Sequence, residues 1–275
     1  MKKLVLLLTA IAAFALLLAG CGGDQKAGAG SSQADPNKEI KIGVTAGPHA
    51  EVMDFVSKEA AKQGVKLTVV EFNDYIQPNI ALDQKELDMN CYQHQPFLDN
   101  MVKERGLKLV SIGKTILLPM GLYSNKYKNL NEVPNGATVA IPNDPTNGGR
   151  GLLLLQQAGL IQLKDGVGVK ATVADITGNP KNLNIRELEA AQIPRSLNDV
   201  DVAAVNTNYA LNAGLNPQKD AVLVESKESP YANVMVVREA DKDNAAYQKV
   251  LAIYQSEPVK QFIVEHFKGS IVPAF

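Results

Sequence analysis

From Ile40 onward, short apolar segments of period two alternate with longer segments of helical spacing, and this alternation restricts the fold more than any other feature. Ile40 to Val44 alternates and breaks at Gly47-Pro48, after which Ala50 to Gln63 carries apolar residues at helical spacing and stops at Gly64. Strands are expected at Val65 to Phe72, Met89 to Tyr92 and Leu107 to Ile112, with helices at Pro78 to Lys85 and Pro96 to Glu104 between them. After an extended stretch from Lys114 to Tyr123 a second series begins. It has strands at Thr138 to Ile141, Ala171 to Ile176, Ile185 to Leu188 and Val200 to Val205, with helices at Thr146 to Ala158, Ile193 to Leu197 and Thr207 to Leu211. Strands at Ala221 to Val224 and Asn233 to Val237 and helices at Asn244 to Ser256 and Pro258 to Phe267 complete the chain. Such alternation implies parallel pairing with helices on both faces of each sheet. Two series of similar size, joined near Thr115 to Tyr123 and again near Glu225 to Asn233, imply two lobes with a cleft between them. In open α/β sheets ligands bind beyond the carboxyl ends of the strands, so residues just after strands are the candidates for a site.

The first residues are not part of this pattern. Lys2 and Lys3 lead into an apolar run from Leu4 to Leu18, then Ala19, Gly20 and Cys21, the three zones of a secretory signal. Fifteen residues at about 1.5 Å each reach about 22 Å, short of the roughly 30 Å hydrocarbon core, which argues for a cleaved signal over a membrane span. Leu18-Ala19-Gly20-Cys21 also resembles the bacterial lipobox, in which the Cys thiol accepts diacylglycerol before cleavage; Cys21 is therefore the expected lipidation site. Gly22 to Asn37 is poor in apolar residues and rich in Gly, Ala and Ser, the composition of a flexible leash. The expected organisation is a signal over 1–20, a lipidated Cys and linker over 21–37, one lobe from 38–120 plus 232–275, and a second lobe over 121–231.

A length of 275 residues suits one large or two medium lobes. Balanced charge, 28 Lys plus Arg against 29 Asp plus Glu, gives no basic field, so nucleic acid is not an expected partner. Loss of Lys2 and Lys3 with the signal takes the net charge from -1 to -3. Of two cysteines, acylation of Cys21 would leave Cys91 without a partner, so no structural disulfide is expected and Cys91 reads as a small buried hydrophobe.

The chain has no GxSxG, no GxxxxGK[ST] and no HExxH, and His49, His94 and His266 are far apart in sequence. No cofactor or metal is expected. Pro142 to Gly151, PNDPTNGGRG, follows a strand and opens an apolar helix. Gly148, Gly149 and Gly151 would let backbone approach a ligand at the partly positive helix end, where Arg150 can take a carboxylate in bidentate fashion and Asn147 lies on the same side. The segment reads equally as a glycine-rich helix entry with Arg150 on a solvated face. Phe72, Tyr75, Tyr92 and Phe97 gather four of fifteen aromatic residues at the ends of two neighbouring strands. They can box a thioether, or simply pack in the core. His94 sits among them. Asn206 and Asn233 are placed where neutral amide oxygens could accept from an ammonium group, although each alone also suits a turn.

The lipobox, GVTAGPHAEVM (Gly43 to Met53), FNDY (Phe72 to Tyr75), YQHQPFLD (Tyr92 to Asp99), IPNDPTNGGR (Ile141 to Arg150), NPKNL (Asn179 to Leu183) and KESPYANV (Lys227 to Val234) together resemble the NlpA-family methionine-binding lipoproteins. The likeness runs from Lys38 to the C-terminus. It implies a type II-like periplasmic-binding-protein fold of two α/β lobes with a two-strand hinge, closing on a free amino acid. Matched motif by motif, it implies that Arg150 and Asn147 hold the α-carboxylate and that Asn206 and Asn233 meet the α-ammonium. Phe72, Tyr75, Tyr92, His94 and Phe97 would enclose the side chain. Two departures are Phe97, where many members carry Tyr, and Cys91, where they carry another apolar residue. The implied partners are methionine, an ABC permease with its ATPase, and the membrane through a lipid anchor facing the periplasm or the extracellular side. A methionine-containing dipeptide or another small apolar amino acid is the alternative ligand, and an exported enzyme using Arg150 and His94 the alternative class.

Overall fold

The computed structural model describes residues 39–226 and 228–275. Cys21, the expected signal and the expected linker lie outside the described residues. The first series comprises β1 (Ile40–Thr45), α1 (Pro48–Lys62), β2 (Leu67–Phe72), α2 (Gln77–Asp83), β3 (Met89–His94), α3 (Gln95–Arg105), β4 (Leu109–Lys114) and the short β5 (Ile116–Leu117). The second comprises β6 (Gly121–Tyr123), β7 (Thr138–Pro142), α4 (Pro145–Gln157), β8 (Gln162–Leu163), β9 (Ile176–Gly178), β10 (Asn184–Leu188), β11 (Val202–Val205), α5 (Thr207–Asn212) and β12 (Leu223–Val224). The chain then returns to the first lobe as β13 (Asn233–Arg238), α6 (Ala245–Tyr254), α7 (Glu257–Phe267) and β14 (Val272–Pro273), the last pairing with β5.

Each lobe is built on a five-stranded sheet, in the orders β2-β1-β3-β13-β4 and β10-β7-β11-β6-β12. Central strands are buried on both faces, as β3 is throughout, because helices cover both sides. In the first lobe α1, α6 and α7 pack on one face around Met53, Val56, Val250 and Ile263, while Leu82, Leu98 and Met101 of α2 and α3 pack on the other. In the second lobe α4 packs on one face through Leu152 and Leu155, and Ile193, Leu197 and Ala210 cover the other. Proline occupies the first turn of α1, α2, α3, α4 and α7, where its missing N–H is harmless and its fixed φ starts the helix. Four of these helices follow a strand, so the site-facing strand ends pass abruptly into helices.

The two-lobed α/β class agrees with expectation, but the all-parallel pairing does not. The return strand β13 runs antiparallel to both β3 and β4, and β6 antiparallel to β11 and β12. Each of these strands follows a crossing between lobes, and the crossing reverses its direction. A consequence is the register Asn233↔His94, which sets two candidate site residues side by side at the cleft. The expected strand Ala171 to Ile176 is also corrected. The Asp175 carboxylate accepts from both the Thr172 hydroxyl (2.7 Å) and the Thr172 N–H (2.9 Å), a local cap that turns Val173–Asp175 into a 3-10 turn and limits the strand to β9. The expected helix at Ile193 to Leu197 is 3-10 over Ala190–Asn198, with Pro194 inside it unable to donate.

The lobes are joined by the segments before β6 and after β12. These are tied to each other, since Glu225 N–H donates to the Met120 carbonyl (2.8 Å) and Met120 N–H to the Glu225 carboxylate (3.2 Å).

Candidate functional site

The ends of β3, β7 and β11 and the start of β13 converge on a small cavity between the lobes, with room for about 30 Å³ of water-sized space. Eight of the expected residues line it: Tyr75, Tyr92, His94, Phe97, Asn147, Arg150, Asn206 and Asn233. Phe72 does not, a correction to the expected box. Its ring lies over Gly43 and packs among the partly buried members of the α2–α3 core. A side chain at Gly43 would meet that ring and Leu87.

The aromatic wall is Tyr75, Tyr92 and Phe97, with centroids 5.9 to 6.4 Å apart and Phe97 edge-on to both tyrosines. Tyr209 of the second lobe packs behind this wall, outside the cavity lining, 4.9 Å from Tyr75. The hydroxyls are turned away from the apolar space, Tyr92 Oη donating to the Tyr75 carbonyl and Tyr75 Oη to Asn208 Oδ1, both at 2.6 Å. Burial raises both phenols well above their usual range, so they remain neutral donors.

His94 is fixed by its own helix. As N-cap of α3 its Nδ1 accepts from Phe97 N–H (3.1 Å), so the proton is on Nε2, which donates to Asn147 Oδ1 (3.1 Å) across the cleft. Asn147 Oδ1 also accepts from Asn206 Nδ2 (2.8 Å), and its own Nδ2 donates to both oxygens of Asp144, the N-cap of α4. Asn147 is thus a crossing point between lobes whose amide donors are occupied by Asp144, a departure from the expected carboxylate ligand. Beneath this level Asn79, Asn90 and Gln93 bond one another in a buried amide network that stiffens the end of β3.

Arg150 is buried, not on a solvated face. Its Nε and Nη2 lie 3.1 and 2.5 Å from the two oxygens of Glu225, Nη2 also donates to the Leu118 carbonyl (2.8 Å), and Tyr231 covers the guanidinium face at 4.4 Å. One edge of the fork is therefore taken by the protein, leaving Nη1 as the nitrogen open to a ligand. The three glycines around it serve packing rather than ligand approach. A Cβ at Gly148 would strike the Pro142 carbonyl, one at Gly149 those of Ala171 and Val169, and one at Gly151 would crowd Ile141 and Ala204.

The sequence reading missed His49, Gln93, Leu118, Thr207 and Asn208, which complete the lining. His49 lies in the first turn of α1, four residues past the end of β1, so the strand-end rule could have found it. Asn233 Nδ2 donates to His49 Nε2 (2.8 Å) and to the Tyr92 carbonyl (2.9 Å), while His49 Nδ1–H donates to Thr45 Oγ1 (2.7 Å). Both amide hydrogens being used, Asn233 keeps its carbonyl oxygen for other partners. Thr207 donates to the Pro119 carbonyl in the first crossover. Two cavity-lining atoms are buried with no partner, the acceptor Asn206 Oδ1 and the donor Asn208 Nδ2. Buried polar atoms of this kind are costly unless something pairs with them. The lobes also touch at the rim, where Asn212 Nδ2 donates to the Ala46 carbonyl (3.1 Å) beside Gly47, whose φ of 85° and lack of Cβ admit the contact.

His49 and His94 are both held near pKa 3, His49 by burial and His94 by burial reinforced by the Arg150 charge. Unfolded histidine titrates near 6.5, so between about pH 6.5 and 3 the unfolded chain binds protons that the folded chain refuses. Stability is expected to be complete above pH 6.5 and to fall by roughly 1 kcal/mol per pH unit for each histidine as pH drops toward 3. Denaturant titrations at pH 7.5, 6 and 5 on the parent and on His49→Gln check this. An equal decline in the variant would remove His49 from the account.

The family described as NlpA lipoprotein matches residues 40–275. A curated relative, the D-methionine-binding lipoprotein MetQ of Salmonella typhimurium, is 49% identical over 260 residues, covering 94% of this chain and 93% of the relative. Among solved structures, a nutrient binding protein from Burkholderia cenocepacia bound to methionine aligns with TM-score 0.84 at 54% identity, over 86% of this chain and all of that one. The methionine binding protein MetQ aligns with TM-score 0.84 at 48% identity, over 88% of this chain and 99% of that one.

Proposed function

The chain belongs to the NlpA lipoprotein family, and from that premise we propose that it captures methionine in the interlobe cavity and delivers it to an ABC importer as a binding protein without catalytic turnover. The observation that carries this reading is the pairing, in one interlobe cavity, of a buried guanidinium and an unpartnered amide acceptor, Asn206 Oδ1, against an aromatic wall. Arg150 Nη1 and Asn208 Nδ2 supply donors for the α-carboxylate. Asn206 and Asn233 oxygens accept from the α-ammonium. Tyr75, Tyr92 and Phe97 enclose the thioether, with sulfur–ring contacts worth about 0.3 to 1.5 kcal/mol each. Residues 38–120 with 232–275, and 121–231, are the two bodies that close on the ligand, and Cys21 carries the lipid that anchors the chain on the outer side of a membrane. A separate permease and ATPase drive import.

An enzyme using His94 is disfavoured by the geometry, since both ring nitrogens are engaged, one by Phe97 N–H and one by Asn147, and burial keeps the ring neutral. Cys91 is no better placed as a nucleophile, because burial pushes its thiol up to about 12.

Competition titrations with L-methionine, D-methionine, norleucine, glutamate and glycyl-methionine test the reading. Methionine is expected to outcompete norleucine by a few fold, through sulfur contacts worth about 1 kcal/mol, and glutamate by orders of magnitude through desolvation of the extra charge. A preference for glutamate would defeat it, and a preference for glycyl-methionine would keep the site and change the substrate.

A further inference from the structure

We infer that Glu225 is a specificity-determining residue that makes this cavity select zwitterions over simple carboxylic acids. The inference rests on the amino-acid reading above, which itself assigns Glu225 no role. Arg150 is the single ionised group among the lining residues, and Glu225 lies directly behind it, oxygens 2.5 to 3.2 Å from Nε and Nη2. Tyr231 covers the guanidinium face and the Leu118 carbonyl takes the other Nη2 hydrogen, so the pair is largely buried, with the Glu225 side chain 13% exposed. Two further carboxylates lie nearby: Asp144, half-buried and engaged with Asn147 and the start of α4, and Glu228, exposed to solvent on the outer side of the pair, where water screens its charge.

Charge balance follows from that arrangement. Arg150 and Glu225 cancel. A ligand with one carboxylate and one ammonium leaves the cavity neutral, whereas a carboxylate alone buries one uncompensated negative charge. In a water-poor cavity such an imbalance is far more costly than at a surface. Without Glu225 the sign reverses: Arg150 would then be neutralised best by a lone carboxylate, and the ligand ammonium would lose an attractive neighbour. The substitution therefore acts in opposite directions on the two ligand classes. The position of Glu225 on the return crossover, with Met120 N–H of the outgoing crossover donating to its carboxylate, fixes the anion relative to both connecting segments.

The test compares L-methionine with desaminomethionine, the same thioether acid without its ammonium, by calorimetric titration of the full chain and of its Glu225→Gln and Glu225→Asp variants. The parent should prefer methionine strongly. In Glu225→Gln the ratio of the two affinities should narrow at least tenfold, chiefly through tighter binding of desaminomethionine, and Glu225→Asp should restore most of it. A merely structural role would weaken both ligands together and leave the ratio unmoved, which would overturn the inference while leaving the methionine reading intact. A parent that binds neither ligand would overturn that reading and the inference with it. Should Glu225→Gln fail to fold, Glu225→Met, an uncharged side chain of similar length, carries the same expected narrowing.

Discussion

Replacing Arg150 by alanine is expected to weaken methionine binding by about 2 to 5 kcal/mol, because a ligand carboxylate would be enclosed without its charged partner. The same change should lower the stability of the chain itself. Glu225, only 13% exposed in its side chain, would remain buried without its counter-ion, and breaking a buried pair from one side costs about 3 to 5 kcal/mol. The residual exposure places the expected loss near the lower figure. Removing both charges at once, as Arg150→Met with Glu225→Met, should recover most of the stability while binding stays lost. Calorimetric titration and urea denaturation on the three proteins separate the two effects. Undiminished affinity in Arg150→Ala would move the ligand carboxylate elsewhere, and unchanged stability would mean that the ion pair is solvated.

Asn147→Ala should be the next most damaging change. Its Oδ1 is the acceptor for both Asn206 Nδ2 and His94 Nε2–H, one from each lobe, so its loss strands two buried donors. At about 1 to 3 kcal/mol for each unsatisfied group, a loss of roughly 2 to 4 kcal/mol is expected once water has partly filled the space. Binding should fall more than tenfold if Asn206 serves the ligand as proposed, since it loses the bond to Asn147 that fixes its amide. Thermal denaturation with and without methionine reads both quantities. A variant that is destabilised but binds normally would show that Asn206 is held by its backbone alone.

Most of the cavity wall was legible from the chain because its residues directly follow strands, and strand ends are visible as breaks in a local period. Tyr92, His94 and Phe97 come at the end of β3, Asn147 and Arg150 soon after β7, and Asn206 directly after β11. Phe72 obeyed the same rule and still faced the wrong way. It ends β2, an edge strand, where period two fixes alternation but not which face looks into the cleft.

The sequence by itself determined the alternating elements, the proline-started helices behind the strand ends, and the residue types gathered there, because periodicity, capping and turn chemistry are properties of neighbours along the chain. Tertiary structure alone decided the antiparallel return of β13, which places Asn233 opposite His94, and the pairing of Arg150 with Glu225 across 75 positions. It also decided the service of His49 to Asn233 across 184. Those contacts depend on the direction in which the chain recrosses between lobes, and no local pattern carries that direction. Burial then converts such distant meetings into chemistry: it keeps the histidines neutral, leaves one edge of the Arg150 fork for a ligand, and strands Asn206 Oδ1 where only a donor entering the cavity can satisfy it.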